Sequence, residues 1–442
     1  MIKLFHKIKM NSLITKVTIF FLLCLSLCYF YIVSNNSNGL LSEIFISDNL
    51  IKISSYAYNE LFINYQAGFI RRGLLGELFW KVHNIFSVKP LLFFSYLFLT
   101  LYLIQIYLFT KIFKFYSNNY FIFIIIYLSP ALILFPIYEI NLYFIKDIFI
   151  KLTILFHASI IIEKLNEKSV DNYLENLKFI IIPILSIIIL IHEYQVIFLS
   201  IHILLSLAVV KSKNEIIKIL KIYLLLLLPI FLVLIFIGNS IQYENLNLLL
   251  KKFEIGDLHS QLSGGFYKAI GGFYKWHFYY FSYKDFIQLF LSLLLGVGIF
   301  FLIFHYLIKQ KILKFNNKYQ KNYLVFFIPT LLCFLLALDH GRNISLVSTH
   351  LVAFYAVLKV DQRKLTTFNN SISQNFIQKC LSIVFLLFYI FMWRLDQMAG
   401  FGGAQQINTI FQSAIFAEIT NFIKFIYAYI NLNIIDLPKI NL

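Results

Sequence analysis

The chain has 442 residues, of which 60% are hydrophobic, 19% aromatic and only 13% charged. A mean hydropathy of +0.79 excludes a water-soluble globular domain and points to a polytopic membrane protein. The formal charge of +17 does not indicate a nucleic-acid module. No basic block is interleaved with aromatics in the manner of one, and the positive excess falls in short loops, where it orients helices across a membrane.

The first apolar run, 17–33, follows Lys3, Lys7, Lys9 and Lys16. It is longer than the ~7–15 residues of a signal-peptide core, and no small-x-small site precedes Ser34, so a retained first helix is expected. Cys24 and Cys28 share a face of this run, and Cys333 and Cys380 lie in other apolar runs. With no CxxC pair or metal spacing, all four read as small buried hydrophobes. Residues 34–89 form a long outer segment whose stretch from Phe69 to Phe86 sets Arg71, Arg72, Glu77 and Lys81 among Leu, Phe and Trp, the pattern of an interfacial helix.

A span needs about 20 apolar residues. Further candidates are 90–110, 120–138, 148–162, 179–191, 196–210, 222–238, 286–308, 323–338, 343–358 and 376–393. With the first run these make about eleven, in a range of ten to twelve. A last segment, 407–431, interrupted by Glu418 and Lys424, reads as an interfacial or a transmembrane helix. The expected fold is all-α: one polytopic transmembrane domain over 1–442, with two larger outer loops at 34–89 and 239–285. Alternation from an inside N-terminus places 1–16, 111–118, 163–178, 211–221, 309–322 and 359–375 inside. These segments hold most of the short-loop lysines, including Lys211, Lys213, Lys218, Lys221, Lys309, Lys311, Lys314, Lys318 and Lys321. The outer turns at 192–195 and 339–342 hold one basic residue, Arg342. The two pairs of runs that flank these turns are short, so their polar tips are expected to sit below the outer surface, beside protein or a water-filled cavity.

The ionisable breaks between runs therefore gather on the outer side. In Gly68-Phe69-Ile70-Arg71-Arg72-Gly73-Leu74-Leu75-Gly76-Glu77, adjacent arginines between glycines fit either bidentate phosphate binding or the start of an interfacial helix. Lys146-Asp147 reads as an ion pair at a helix start, or as a phosphate-binding base beside a catalytic acid. His192-Glu193 reads as a helix cap or as an acid/base pair. It lacks HExxH spacing, which disfavours a zinc protease, while His202 on the next run reads as structural. Asp339-His340-Gly341-Arg342 offers a base and a phosphate partner around a flexible glycine, or an Asp–Arg pair that closes a hairpin. Arg394, Asp396 and Gly400-Phe401-Gly402-Gly403 add an outer strip with no specific chemistry. In the loop 239–285 the string GGFYK occurs twice, and Tyr274 and Trp276 fit either an aromatic belt or a glycan-stacking surface. No P-loop, Rossmann glycine pattern, kinase set or Gly-x-Ser-x-Gly elbow is present, so activation must come from the substrate or an ion gradient.

The order GF-x-RRG-LLGE, KD, HE and D-x-GR in so apolar a chain resembles bacterial surface-polysaccharide proteins described as O-antigen or capsule polymerases. More distantly it is similar to the GT-C-type lipid-dependent glycosyltransferases. The chain departs from that pattern at Asn343, where an aromatic residue is expected, and at Phe144-Ile145, where Gly-Arg is expected. The resemblance implies an enzyme of the bacterial inner membrane. It would move a glycan from undecaprenyl pyrophosphate to an acceptor hydroxyl at the outer face, with no cofactor. Arg71, Arg72, Arg342 and Lys146 would hold the phosphates. Glu193, His192 or Asp339 would act as base, with Asp147 in reserve, and Tyr274 and Trp276 would touch the glycan. A GT-C relative using a metal would draw on Glu43, Asp48 and Glu60, which form no tight acidic pair, and no metal site is expected. The expected partners are the lipid-linked oligosaccharide, membrane lipids and other polysaccharide-assembly proteins. A flippase for lipid-linked oligosaccharides, or another membrane transporter, is the alternative.

Overall fold

The computed structural model describes residues 58–113, 120–138, 143–236, 289–336 and 340–361, apart from short internal gaps, and a few single positions elsewhere. Apart from single positions, the expected spans 17–33 and 376–393, the loop 239–285 and the helix 407–431 lie outside them. So do Cys24, Cys28 and Cys380, whereas Cys333 is described and buried.

The described chain is mainly helical. Its longer helices are α1 (Leu74–Phe86), α2 (Pro90–Phe113), α3 (Asp147–Glu167), α4 (Ile182–Ile191), α5 (Leu199–Ser206), α6 (Lys213–Phe236), α7 (Ile299–Lys309) and α8 (His340–Val357). Three continuous helical rods, Phe93–Phe113, Asn172–Ile191 and Leu289–Lys309, are long and apolar enough to cross a membrane. Large apolar side chains point outward from these rods and from α6, among them Tyr107, Phe179, Leu225, Phe290 and Leu302. A small exception to all-α structure is a two-stranded antiparallel ladder of β1 (Leu313–Lys314) and β2 (Lys359–Val360), closed by an ion pair between Lys314 and Asp361 at 3.1 Å.

Several expected spans are interrupted where proline removes a backbone donor. The run 120–138 becomes helices Tyr120–Tyr127 and Phe135–Tyr138 around a turn at Pro130, and 323–338 becomes Tyr323–Phe327 and Leu332–Leu336 around a short 3-10 turn at Pro329. The run 196–210 keeps regular α-helix only in α5. Conversely, α6 begins at Lys213, well before the apolar run at 222, because Lys, Glu and Ile extend a helix readily. Pro183 enters α4 just after a π turn at Leu177–Ile181, a local widening that suits the missing N–H.

The centre of the bundle is α8, all 18 residues of which are buried, packed against α3, α5 and α7. It is not apolar, so its polar groups need partners inside the protein. Asn343 donates to the Cys333 carbonyl at 2.9 Å and Ser345 to the Ala131 carbonyl at 2.7 Å. Ser348 donates to the Gly296 carbonyl at 2.9 Å, within a second π turn at Leu294–Gly298 whose widened backbone offers that oxygen. The run 343–358, expected as a short span, is thus an enclosed helix held by side-chain-to-backbone bonds.

Within the stretch Phe69 to Phe86, expected to lie in the interface, the structure forms α1, which buries Leu75, Gly76 and Phe79 and leaves Leu78, Ile85 and Phe86 outside. Phe79 meets Phe62, Phe93 and Phe94 at ring-centroid distances of 5.1–5.5 Å, which ties α1 to α2 and to the segment before it. A Cβ at Gly76 would collide with the Ile63 carbonyl. Gly76→Ala is therefore expected to lower stability by about 1–3 kcal/mol, read as an earlier thermal loss of monodisperse protein in detergent.

Candidate functional site

Four of the separated polar breaks meet in one buried cluster. The segment before α1 turns at Gly68, whose φ of 108° suits glycine, and Glu77 on α1 fixes that turn by accepting bonds from the Tyr65 N–H at 3.1 Å and the Gln66 side chain at 2.9 Å. Arg72 then adopts a left-handed conformation with φ 64°, which costs about 1–2 kcal/mol for a residue with a Cβ. Its side chain offsets that cost. Nε and Nη2 grip Glu193 at 2.7 Å, and Nη1 reaches Glu60 at 2.7 Å. Lys146 clamps the same two segments by donating from Nζ to the Glu60 carbonyl at 2.8 Å and the Arg72 carbonyl at 3.1 Å.

The second half of the cluster is built on Asp147, the first residue of α3, where a carboxylate also favours the helix N-terminus. Arg342, on the first turn of α8, holds it with a two-bond fork, Nε and Nη2 each at 3.0 Å. His192 Nε2 stands 3.2 Å from Asp147 Oδ1. The His192 Nδ1 accepts the Tyr194 N–H at 3.4 Å and caps the short turn Glu193–Val196, which assigns the remaining proton to Nε2. One turn along α3, Lys151 donates to Ser345 on α8 at 2.7 Å and lies 4.9 Å from the centre of the Phe135 ring.

Burial shapes the charge states. Desolvation pulls the Lys146 ammonium down to about 8, with Arg72 adding to the fall while Glu60 and Glu193 oppose it. Burial alone would raise the Asp147 carboxyl, but Arg342 and His192 outweigh it and hold it well below the usual carboxylate range. Desolvation lowers His192 despite Asp147 beside it, so the ring is neutral near pH 7.

Family models, curated proteins and solved structures were compared with the chain, and none matches.

Several sequence expectations change at this site. Lys146 and Asp147 do not pair with each other. The lysine holds backbone carbonyls, and the acid faces α8 and His192. Arg342 pairs with Asp147 from another helix, and Asp339 lies outside the described residues. His192 and Glu193 come only to 4.0 Å and are engaged in different directions. Arg71, Tyr274 and Trp276 also lie outside the described residues. Arg72, Lys146, Asp147, His192, Glu193 and Arg342 are brought together, and the arginine forks already hold carboxylates. Glu60, considered from the sequence only as a metal ligand, is an ion-pair partner of Arg72. Among the described residues no group of three or more His, Cys, Asp or Glu is placed to hold a metal ion. Lys151 and Ser345 were missed. The available signal was a lysine one turn beyond Asp147 inside an apolar run.

Chemically, the cluster is a set of forked cations bound to carboxylates. Such a set has the donor geometry to take a phosphate by exchange, an incoming oxyanion replacing a carboxylate on the same planar donors.

Proposed function

We propose that the chain is a polytopic inner-membrane glycosyltransferase, a surface-polysaccharide polymerase that moves a glycan from undecaprenyl pyrophosphate to an acceptor hydroxyl at the outer face. One observation carries this reading: Arg72, Lys146 and Arg342 converge with Glu60, Asp147, His192 and Glu193 in a single buried cluster. Charge is seldom gathered in so apolar a protein without a role. In this reading the pyrophosphate engages Arg72 and Arg342, Lys146 positions the Arg72 backbone, and Glu193, released from Arg72, takes the acceptor proton. Cleavage of the sugar–phosphate bond supplies the driving force, in keeping with a chain that shows no nucleotide motif. The apolar outer faces of the three helical rods support a membrane setting, and the apolar run lengths of the sequence carry the reading of about eleven spans.

The test is gel analysis of surface polysaccharide in a deletion strain complemented with wild type, Glu193→Gln or Asp339→Asn, with membrane levels of each protein checked. The expected result is a single repeat unit in the deletion strain, a ladder with wild type, and no ladder with well-expressed Glu193→Gln. A normal ladder in the deletion strain would overturn the reading.

A flippase for lipid-linked oligosaccharide is the second reading. It is favoured by the buried histidines His157, His202 and His350, titratable groups inside an apolar bundle. In that case the deletion strain would retain its lipid-linked repeat unit on the cytoplasmic leaflet.

A further inference from the structure

The end of the bundle remote from the charged cluster is strongly basic. Asp147 and Arg342 sit on the first turns of α3 and α8, and α8 runs 18 residues, roughly 27 Å, from there toward the two-stranded ladder. Between α7 and the helix Tyr323–Phe327, residues 309–321 hold five lysines and no acid.

Three chain segments are latched together at this end. Asn317 Nδ2 donates to the Leu207 carbonyl at 2.5 Å and the Val210 carbonyl at 3.0 Å, between α5 and α6. Asn316 Nδ2 donates at 2.9 Å to the carbonyl of Val357, the last residue of α8. The Asp361 N–H donates to the Ile312 carbonyl at 2.8 Å. The basic segment is thereby tied to α5 and α8 as a fixed surface.

Helix C-termini attract cations, and lysines there often cap the last carbonyls. Here other groups perform that task. The two asparagines serve α5 and α8, and the N–H groups of Gln310, Lys311 and Ile312 bond the last carbonyls of α7. The ammonium groups are left over. Lys309, Lys311, Lys321 and Lys359 are exposed and make no ion pair among the described residues. In the ladder Lys359 stands directly opposite Lys314, an unfavourable pairing of like charges. The acid beside them, Asp361, is already held by Lys314 Nζ at 3.1 Å and the Lys364 N–H at 3.3 Å. A bound anion would relieve the remaining repulsion.

The lysines also border outward-facing apolar strips. Lys309 ends the rod Leu289–Lys309, on which Leu302 and Tyr306 are exposed, and Lys321 precedes exposed Leu324 and Val325. Both strips flank one buried ring, since Tyr355 of α8 meets Phe304 at 4.3 Å and Tyr323 at 5.9 Å between ring centres. Cations at the ends of apolar strips match a ligand that carries an anionic head and hydrocarbon tails. A nucleic acid or a soluble acidic protein would use the lysines and leave the strips uncovered.

We propose that this end of the bundle is a binding surface for anionic phospholipids, with headgroup phosphates on the four unpaired lysines and acyl chains along the two strips. The inference is independent of both readings of the charged cluster.

The test is native mass spectrometry of the purified full chain in detergent, titrated with phosphatidylglycerol or with phosphatidylcholine of the same acyl chains. The expected result is discrete phosphatidylglycerol adducts, far fewer phosphatidylcholine adducts, and phosphatidylglycerol binding weakened about fivefold for each lysine replaced by glutamine. The fourfold variant Lys309→Gln, Lys311→Gln, Lys321→Gln and Lys359→Gln should therefore lose the adducts, and arginine at the same four positions should keep them. Equal adducts with the two lipids would overturn the proposal, as would wild-type phosphatidylglycerol binding by the fourfold glutamine variant. Displacement of the lipid by an equal concentration of inorganic phosphate would also overturn it, because the tails would then contribute nothing. Lys359→Gln alone, read as its fivefold loss, serves if the fourfold variant is not monodisperse.

Discussion

Arg72→Ala is expected to destabilise the protein by about 3–5 kcal/mol, because it leaves the buried carboxylates of Glu60 and Glu193 without their guanidinium. Both carboxylates are less than a tenth exposed, so water replaces little of what is lost. Arg72→Lys should recover only part of this, since an ammonium cannot span two carboxylates as a planar fork does. The informative variant is the triple replacement Arg72→Met, Glu60→Gln and Glu193→Met. Removing Arg72 together with the two carboxylates it holds avoids stranding them, and such exchanges are often neutral for stability. The triple variant is therefore expected to melt near wild type, by retention of monodisperse protein after heating in detergent, and still to fail in complementation. A triple variant no more stable than Arg72→Ala would mean that the loss lies in the Arg72 backbone turn and not in the charges.

Asp147→Asn is expected to have the second-largest effect, again about 3–5 kcal/mol near pH 7, because it removes the buried carboxylate that the Arg342 guanidinium grips with two bonds. Its pH signature differs from that of a packing defect. Asp147 is held below its ordinary value in the folded chain, so its stabilisation is present above ~3.9 and is lost as pH falls toward the folded value. Wild type should show no loss from this group between about pH 8 and pH 5, and a steep acid loss below about pH 4. Asp147→Asn should start lower and lack that limb. Parallel acid profiles for wild type and variant would show that Asp147 is not the group that titrates.

The composition and run lengths determined much by themselves. An apolar excess this large forces backbone hydrogen bonds into helices, and prolines at 130 and 329 mark where two runs break. The polar breaks also announced themselves, since each is a costly interruption of an apolar segment. Arg72, Lys146, Asp147, His192, Glu193 and Arg342 were all visible in this way as residues that needed an explanation.

Which acid faces which base was decided only by the tertiary structure. Arg72 and Glu193 are 121 residues apart, and Arg342 and Asp147 are 195 apart. Local patterning suggested instead the neighbouring pair Lys146 with Asp147. Forks of about 3 Å are set by how α3 and α8 cross and by the turn at Gly68, and no periodicity in the chain records those angles. His157 shows the same limit. In sequence it is one polar residue within the apolar run 148–162, whereas the packing of α3 against α5 stacks it on His202 and hydrogen-bonds the two rings. A side chain's burial cost can be read from its neighbours in sequence. The partner that meets that cost is supplied by residues far along the chain, and only the folded arrangement of helices names it.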